Sequence, residues 1–583
     1  MDDFKAWLKR SPFIQALLLT VVALGFQLAV TTPIYATNDD ILMTGIVSGN
    51  FVTSEPSDKM LFSNILIGRV LNELYIAQPA VPWYGLYLIG THVIAFLTFS
   101  WACLQLVPGW RTIGVLLLYL YGVETECLRH LNFTTTSYLA AQSGLLLVIL
   151  RFAKPNEKTA WVNLSVGIAL LVYSSLIRLD MFKMVLCLAI PTMVNVIVNS
   201  RERFIVRKSL TIILMTGFAV GGLSYVNDAV YLAESGWRDF FKLWIPLARV
   251  TDYIKLNAWQ IDPQRADDIL KAADWNYNDL VLMNSWCFLD EDVYTTEKIE
   301  IVGNGWRKLQ LGSTGLSISG LLKAFMMLAR NPFCLGCLFT AIGLRSKGSA
   351  SGYWAVWATS ALAFSLIGYL VLERKLPGRV YVPIIVFTVL INVILLRLGN
   401  ELSELTSDKR DVRSPGMFRL LRQWGGLLIA MACFVVAHRQ ALQESARICA
   451  MNQRLWQDVV TIERGQYRMV IAWPNTPLDW MTPYTDLRLL SRVNFFSMAA
   501  LQRTPYATSR KHELGVADPI KALFERNDVT VIADPSRISR LPRFIEEHYH
   551  QKVEFRPVLR GVSGFVMYRA FVIKSDSKKV TAL

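Results

Sequence analysis

Residues 12–40, PFIQALLLTVVALGFQLAVTTPIYATNDD, form the stretch that decides the fold. Its apolar part, residues 12–36, is longer than the core of a cleavable signal peptide, which covers about 7–15 residues. The stretch is therefore predicted to be a signal anchor that spans the membrane. Basic residues before it place the N-terminus in the cytoplasm, where positive charge is retained: Lys5, Lys9 and Arg10.

The composition of the whole chain also indicates a membrane protein. Of the 583 residues, 53% are hydrophobic and only 18% are charged, and the mean hydropathy is +0.35. These values exclude an ordinary soluble enzyme. The net charge of +15 can indicate a nucleic-acid partner, but in a membrane protein Lys and Arg retained in cytoplasmic loops and near anionic lipid explain it better. We therefore expect membrane lipid, and no nucleic acid, as a partner.

Hydropathy predicts ten further spans after the first. They cover residues 82–107, 111–123, 133–150, 160–177, 181–198, 210–231, a segment ending near 344, 353–372, 380–396 and 420–437. The inner loops of this threading hold many more cations than the short outer turns, which supports it. These cations are Arg151, Lys154, Lys158, Arg201, Arg203, Arg207, Lys208, Arg345, Lys347, Arg397, Lys409, Arg410, Arg413, Arg419 and Arg422.

The odd number of spans places the tail outside the cytoplasm. The predicted fold class is an α-helical polytopic membrane protein of about eleven spans, residues 1–437, with an extracytoplasmic α/β domain at 438–583. Two long outer loops are expected, at 37–81 and 232–316. Apolar periodicity predicts strands at 470–473, 529–533, 553–558 and 565–571, and helices at 486–501, 518–526 and 537–549.

The two outer loops differ in character. In the first, apolar residues at helical spacing over 57–76 predict an interfacial helix, on which Arg69 can pair with Glu73 or with a lipid head group. The second is rich in acids and aromatics, including Trp237, Trp244 and Trp286. Most of it is expected to be a solvated cap over the membrane domain. The alternative is that some of its aromatic faces line an acceptor groove.

The eight cysteines and the tail histidines carry weaker signals. Cys334 and Cys337 have the spacing of a metal or redox motif, but no second pair accompanies them and packing explains them better. One disulfide can form among the three cysteines outside the apolar runs, in a pairing that the sequence leaves open: Cys127, Cys287 and Cys449. His548 and His550 can bind a metal, although a surface position at a helix end is the simpler interpretation.

Ionisable residues at the outer ends of the spans are candidates for function, because such residues are costly there and are usually paired or functional. Arg178 and Asp180 lie at the break between the fifth and sixth spans. A second group follows the third span: Glu124, Glu126, Arg129 and His130. A third group lies in one tight outer turn that contains Pro377 and Gly378: Arg374, Lys375 and Arg379.

An acid pair directly after the first span, Asp39 and Asp40, then an interfacial helix, many spans and an outer C-terminal domain resemble the GT-C superfamily of membrane glycosyltransferases. The resemblance covers the spans and the first loop and matches no single family within the superfamily. It implies a transferase that moves a sugar from a polyprenyl-phosphate donor to a glycan, lipid or protein acceptor in the cell envelope. It also implies a bacterial inner (plasma) membrane location, with the site on the periplasmic or extracellular side.

This resemblance implies roles for the candidate residues. Asp39 or Asp40 is expected to be the general base, while the other orients the acceptor or a divalent cation such as Mg²⁺ or Mn²⁺. The cations are expected to bind the donor phosphate: Arg374, Lys375 and Arg379, with Arg178 and Arg129 assisting. Substrate contacts are expected from Glu124, His130, Asp180 and Arg69. The alternative for the acid pair is that Asn38, Asp39 and Asp40 only cap the following helix.

Two other classes of function compete with the transferase. A transporter or flippase for lipid-linked glycans needs polar residues through the bilayer centre, and most spans here are apolar at that depth. A non-catalytic partner in envelope glycan assembly does not need the acid pair and the cations to meet in space. The position of Asp39 and Asp40 relative to Arg374 therefore separates the hypotheses.

The charge distribution predicts a cytoplasmic N-terminus and a non-cytoplasmic tail. Single cysteines introduced at exposed tail positions should react with a membrane-impermeant maleimide in intact cells. Labelling that requires permeabilised cells would show that the threading is wrong.

Overall fold

The computed structural model describes residues 11–573, apart from 155, 200–202, 249, 252–262, 314–321, 323–325, 345–349, 373–376, 405–416, 475, 477, 479–480 and 499. Eight helices in the described residues are long and apolar enough to cross a membrane. Their apolar stretches lie at Pro12–Val30, Trp83–Leu106, Phe133–Ala153, Ala160–Ile177, Leu179–Val198, Arg207–Leu232, Tyr353–Val371 and Gly425–Arg464. The prediction of a helical polytopic membrane protein is confirmed.

The three remaining predicted spans are also helical. Pro332–Leu344 and Gly378–Glu404 contain shorter apolar stretches. The third predicted span is a continuous helical segment built from Trp110–Tyr119, a π-helical turn at Leu120–Glu124 and Thr125–Arg129. This turn interrupts the α-helical hydrogen bonds and ends at a buried acid, Glu124.

The membrane core is arranged around α7, Phe133–Ala153 (α1–α6 are Pro12–Val30, Asn38–Ser48, Ile65–Ala77, Trp83–Leu106, Trp110–Tyr119 and Thr125–Arg129). Every residue of α7 from Phe133 to Phe152 is buried. Its closest neighbour is α8, Ala160–Ile177, which it meets at a pair of glycines. A Cβ atom added to Gly144 would lie 2.6 Å from the Gly167 carbonyl oxygen, and one added to Gly167 would lie 2.6 Å from that of Gly144.

The first outer loop differs from the prediction of one helix over 57–76. It contains α2, Asn38–Ser48, and α3, Ile65–Ala77. Helix α3 begins late because the Asn64 side chain accepts a hydrogen bond from the backbone N–H of Leu66 and so caps the helix there. Arg69 was expected to pair with Glu73 or with a lipid head group, and in the structure its Nε lies instead 3.2 Å from Asp58 Oδ2, in the coil before the helix.

A short parallel ladder ties the first loop to the membrane core. Strand β1, Ile34–Tyr35, pairs with β2, His130–Leu131, directly before α7. The segment that precedes Asp39 and Asp40 is therefore held against the start of α7.

The remaining helices follow in chain order. They are α9 Leu179–Asn199, α10 Arg203–Leu232, α11 Ser235–Ala248, α12 Pro263–Ala272, α13 Tyr277–Asn284, α14 Thr296–Ser313, α15 Pro332–Leu344, α16 Ala350–Leu372, α17 Gly378–Glu404 and α18 Met417–Arg464. Helix α18 has 48 residues and passes residue 437 without a break. At about 1.5 Å per residue it extends for about 70 Å, so the last span continues as one helix into the tail.

The described part of the tail forms a five-stranded mixed sheet in the order β4-β3-β5-β7-β6. The strands are β3 Met469–Ala472, β4 Phe495–Ser497, β5 Val529–Ile532, β6 Val553–Arg560 and β7 Val566–Val572, and the helices are α19 Pro505–Leu514, α20 Pro519–Glu525, α21 Pro535–Ile538 and α22 Leu541–Tyr549. The four predicted strands are confirmed. The predicted helix at 486–501 is wrong, because this segment holds a short 3₁₀ turn, Leu487–Arg492, and then β4, whose Phe495 and Phe496 are both buried.

The second outer loop, which we call the cap, packs against the tail. The prediction that the cap is largely solvated is therefore wrong for the surface that faces the tail. Helices α11–α14 share one hydrophobic core with the tail sheet, in which Trp306 of the loop and Trp473 of the tail are fully buried. Trp473 Nε1 donates a hydrogen bond of 2.6 Å to the Ser285 carbonyl oxygen. Glu291 of the loop pairs with two tail cations, Arg503 at 3.7 Å and Lys511 at 3.2 Å. Tail cations therefore balance part of the loop's acidity.

All eight cysteines lie in the described residues and all are free thiols, so the disulfide that the sequence allowed is absent from the structure. The three candidates lie on separate parts of the fold: Cys127 on α6, Cys287 in the core between cap and tail, and Cys449 on α18. Cys334 and Cys337 are buried in the apolar core around α15.

The glycine contact between α7 and α8 yields a stability prediction. Gly144→Ala should destabilise the protein by about 1–3 kcal/mol, the usual range for overpacking a tight core, because the new methyl group would collide with the backbone of α8. The measurement is thermal unfolding of the purified protein in detergent.

A matched control is Gly90→Ala on α4, where an added Cβ atom would have no other atom within 4 Å. This variant should unfold at the wild-type temperature or slightly above it, since alanine favours helix more than glycine does. Equal behaviour of the two variants would show that the helices do not pack as described.

Candidate active site

Four structural elements meet at one end of the membrane domain. They are the starts of α2, α7 and α17 and the junction between α8 and α9. Side-chain contacts from Asp39, Asp40, Phe133, Arg178 and Arg379 join them. The structure thus brings together residues that are up to 340 positions apart in the sequence.

Asp40 is fully buried and accepts four hydrogen bonds. Its Oδ1 accepts from the Tyr84 hydroxyl at 2.9 Å and from the backbone N–H of Phe133 at 3.1 Å. Its Oδ2 accepts from the Thr37 hydroxyl at 2.8 Å and from Asn132 Nδ2 at 2.9 Å. Because Phe133 is the first residue of α7, Asp40 lies at the positive end of that helix, where a carboxylate is favoured. Asp40 therefore caps α7 from outside rather than its own helix.

The environment of Asp40 has opposing effects on its protonation. Burial raises the pKa of the Asp40 carboxyl to about 7, while hydrogen bonds from Thr37, Phe133 and Tyr84 act in the opposite direction and the Asp39 charge adds to the rise. A buried carboxyl with this pKa changes charge near neutral pH. Its oxygens face protein donors on both sides.

Asp39 has a different environment from its neighbour. Its side chain is 21% exposed, and its Oδ2 lies 3.2 Å from Nη1 of Arg379, whose side chain is 27% exposed. The pair joins the start of α2 to the start of α17. Of the two acids, Asp39 is the one that a substrate from outside can reach.

Arg178 adds a second cation beside this pair. It ends α8 in an extended backbone conformation, and its guanidinium carbon lies 4.8 Å from the centre of the Phe133 ring. Arg178 Nη2 is 3.9 Å from Asp180 Oδ2, a distance that makes a weak and largely solvated ion pair. Burial lowers the pKa of Arg178, Asp180 raises it and Arg379 lowers it again. Two guanidinium groups of like charge thus lie near one another beside an acid.

A row of aromatic rings leads away from Arg178 towards the cap. Phe133 stacks with Phe62 at a centroid distance of 6.0 Å, and Phe62 contacts Trp244 at 6.1 Å. Trp244 in turn contacts Trp286 at 6.4 Å. Phe62, Trp244 and Trp286 are each partly buried, so the row connects the site with the outer loop.

The structure places several other predicted site residues in contacts of their own. Arg374 and Lys375 lie outside the described residues. Arg69 pairs with Asp58 in the first loop. Arg129 is buried, and its Nη1 donates to the His438 carbonyl oxygen at 2.9 Å. His130 Nε2 lies 3.9 Å from Glu126 Oε1 and 4.0 Å from Glu444 Oε2.

Glu124 was predicted to contact substrate, but its side chain is buried inside the protein. It is buried at the π-helical turn, and its Oε1 is 2.6 Å from Nδ1 of His92 on α4. The other ring nitrogen of His92 is 3.0 Å from the Thr136 hydroxyl on α7. This buried group joins the third predicted span to α4 and α7, below the Asp40 contacts on the same two helices.

Sequence reasoning missed three residues that hold Asp40: Thr37, Tyr84 and Asn132. Asn132 did offer a signal, because an asparagine directly before an apolar helix is typical of an N-cap, and its Oδ1 does accept from Thr134 N. Tyr84 and Thr37 offered none, since any tyrosine at an interface and any threonine near a helix start look alike.

Comparison with known proteins adds little to this geometry. No protein-family model matches the chain, and no curated protein matches it. A solved structure of ArnT from Cupriavidus metallidurans bound to undecaprenyl phosphate is similar, with 12% identity, 96% of this chain and 97% of that chain covered, and a TM-score of 0.36. Likeness at this level assigns neither a family nor a reaction to this chain.

The four donors around Asp40 yield a stability prediction. Asp40→Asn should cost about 1–3 kcal/mol, because the new amide N–H₂ would face the donor groups of Thr37 or Asn132 and leave a buried polar group unpaired. Asp39→Asn should cost less than about 1 kcal/mol, the usual upper value for a partly exposed ion pair. Chemical or thermal unfolding of the two variants in detergent measures the difference.

A comparison of the wild-type protein with Asp40→Asn tests the pKa of Asp40. The pKa of Asp40 is about 7 in the folded protein, whereas an aspartate in an unfolded chain has a pKa of about 4. The protonated carboxyl therefore stabilises the folded protein fully below about pH 4, and this contribution is lost as the pH rises through about 7. The stability gap between wild type and Asp40→Asn should therefore narrow from pH 5 to pH 8. A constant gap would argue against a carboxyl that titrates in this range.

Proposed function

We propose that this integral membrane protein is a glycosyltransferase of the GT-C type, which moves a sugar from a polyprenyl-phosphate donor to an acceptor in the cell envelope. The observation that carries the proposal is the contact of Asp39 with Arg379, with Arg178 beside them, at the ends of membrane helices. An acid and two cations at this position suit a reaction in which a hydroxyl loses a proton while a phosphate leaves.

The proposed reaction is a single displacement at the anomeric carbon of the donor sugar. The acceptor hydroxyl attacks this carbon, its proton passes to the Asp39 carboxylate, and a new C–O bond forms. The bond between the anomeric carbon and the phosphate oxygen breaks, and its electron pair stays on the polyprenyl phosphate. Arg379 and Arg178 stabilise the negative charge that develops on this phosphate.

The Asp39–Arg379 contact has a consequence for substrate binding. A donor phosphate competes with the Asp39 carboxylate for the Arg379 guanidinium, because both are anions that accept from the same N–H groups. Donor binding therefore releases Asp39 to accept a proton from the acceptor. Arg374 and Lys375 are proposed to add positive charge to the same turn.

A divalent cation does not fit the acid pair. Asp40 is fully buried and each of its oxygens accepts two hydrogen bonds from protein donors, so a cation would have to displace buried donors to reach it. Asp39 is paired with Arg379. The proposed reaction therefore passes no step through Mg²⁺ or Mn²⁺. Asp40 instead fixes the start of α2 and with it the position of Asp39.

The aromatic row supplies a path for the acceptor. Phe62, Trp244 and Trp286 run from the Phe133 ring towards the cap. Aromatic faces pack well against the apolar faces of sugar rings, so an acceptor glycan is proposed to lie along this row with its hydroxyl at Asp39.

The test is transfer by the purified protein, measured as release of undecaprenyl phosphate from a panel of undecaprenyl-phosphate sugars offered with envelope extracts as acceptor. Asp39→Asn should lower the rate by about a hundredfold to ten-thousandfold, the usual effect of losing a general base. Arg379→Ala should weaken the binding of undecaprenyl phosphate by roughly tenfold to a hundredfold, since a charge-assisted contact is worth about 1.5–3 kcal/mol.

The tail offers a matched control pair, Asp528 and Arg526, which form a 2.8 Å ion pair far along the chain from the site residues. Asp528→Asn and Arg526→Ala should leave both rate and lipid binding at wild-type values. Near-normal transfer by Asp39→Asn would contradict the assigned base. Movement of intact lipid-linked glycan across vesicle membranes, without release of undecaprenyl phosphate, would favour the flippase instead.

A further inference from the structure

Three metal-ligating side chains meet at the contact between cap and tail. They are Asp279 of α13 and the neighbouring residues Glu547 and His548 of α22. One ligand atom from each lies within 4.8 Å of the others. Sequence reasoning singled out His548 together with His550, but the structure places His548 beside its neighbour Glu547 and against Asp279 of a distant segment.

Each of the three side chains is oriented by a further contact. Asp279 Oδ2 accepts from the backbone N–H of Asn276 at 2.9 Å, which leaves Oδ1 directed at His548 Nε2, 2.9 Å away. Glu547 accepts from Asn276 Nδ2 at 2.9 Å and from Arg543 Nε at 2.8 Å. Outer contacts of this kind normally orient metal ligands.

The burial of the group also suits a metal ion. Asp279 is fully buried, whereas the side chains of His548 and Glu547 are 21% and 28% exposed. The group therefore has a closed inner side and a side open to water. Arg543, which donates to Glu547, is 65% exposed on the surface of its helix and can turn into solvent without leaving a buried gap.

We propose that Asp279, Glu547 and His548 bind a zinc ion, with water as the fourth ligand, and that the ion fastens the cap to the tail. One imidazole nitrogen with two carboxylate oxygens is a ligand set that Zn²⁺ accepts in tetrahedral sites. Mg²⁺ prefers six oxygen ligands and is a poor match to the imidazole. On binding, His548 Nε2 gives its proton to solvent and its lone pair to the metal.

The competing explanation is an ion pair between His548 and Asp279 with no metal. His548→Gln separates the two explanations, because a glutamine amide can still donate to Asp279 but is a poor zinc ligand. Glu547→Gln is the second variant, since its single amide oxygen can still accept from Asn276 Nδ2, while Arg543, which is 65% exposed, can turn into solvent. His512→Gln is the control, because His512 is an exposed histidine of the tail on another helix.

The experiment uses the full-length protein in detergent, stripped of metal with a chelator and titrated with ZnCl₂ by calorimetry and by thermal unfolding. We expect wild type and His512→Gln to bind one zinc ion per chain at this site and to unfold at a higher temperature with zinc. His548→Gln and Glu547→Gln should each bind this ion about tenfold or more weakly and lose the zinc-dependent shift, while unfolding like wild type without zinc.

Two results would overturn the proposal. One is a wild-type protein that binds no zinc, which would leave the ion pair as the whole explanation. The other is equal zinc affinity in wild type, His548→Gln and Glu547→Gln, which would place the ion elsewhere. Neither result affects the proposed transferase, because sugar transfer depends on Asp39 and Arg379.

Discussion

The structure around the candidate site depends on one buried carboxylate, that of Asp40. Its four donors come from the first loop, from α4 and from the start of α7, so a single side chain joins three segments. Removing a buried acceptor from such a set leaves several donors unsatisfied at once, which is more costly than losing any one bond. The position of α2 relative to the membrane helices follows from this arrangement.

Adjacency in sequence gives Asp39 and Asp40 different surroundings. Successive residues of an α-helix point about 100° apart, so when one acid of the pair faces the protein interior the other faces outward. Asp40 is thereby held by the fold, while Asp39 meets the Arg379 guanidinium at a partly exposed position. This difference in surroundings explains why the two neighbouring acids need not share one role. Because Asp40 is held by the fold, it determines the position of Asp39.

Hydropathy predicted the helical membrane domain well because a segment in lipid must satisfy its backbone hydrogen bonds within itself, so a local run of apolar residues is enough to predict a helix. The strands of the tail were predicted for the same reason, because each is recognised from the pattern of apolar residues within a short stretch of sequence. The contacts of Asp40 with Tyr84 and Asn132 were not predictable, since they join residues 44 and 92 positions apart. The docking of cap on tail was missed for the same reason: Glu291 looks like a solvated acid until Lys511, 220 positions away, is seen beside it.

Helix α18 connects the membrane domain to the tail without a break. It has 48 residues, from Met417 to Arg464, and contains no proline, the residue that most often kinks a helix. The cap helices share a hydrophobic core with the tail sheet that this helix leads into. The cap is also joined to the first loop through Phe62 and Trp244. Packed elements therefore join the aromatic row to the first loop, which carries Asp39, and the proposed transfer reaction would use this arrangement to position its acceptor.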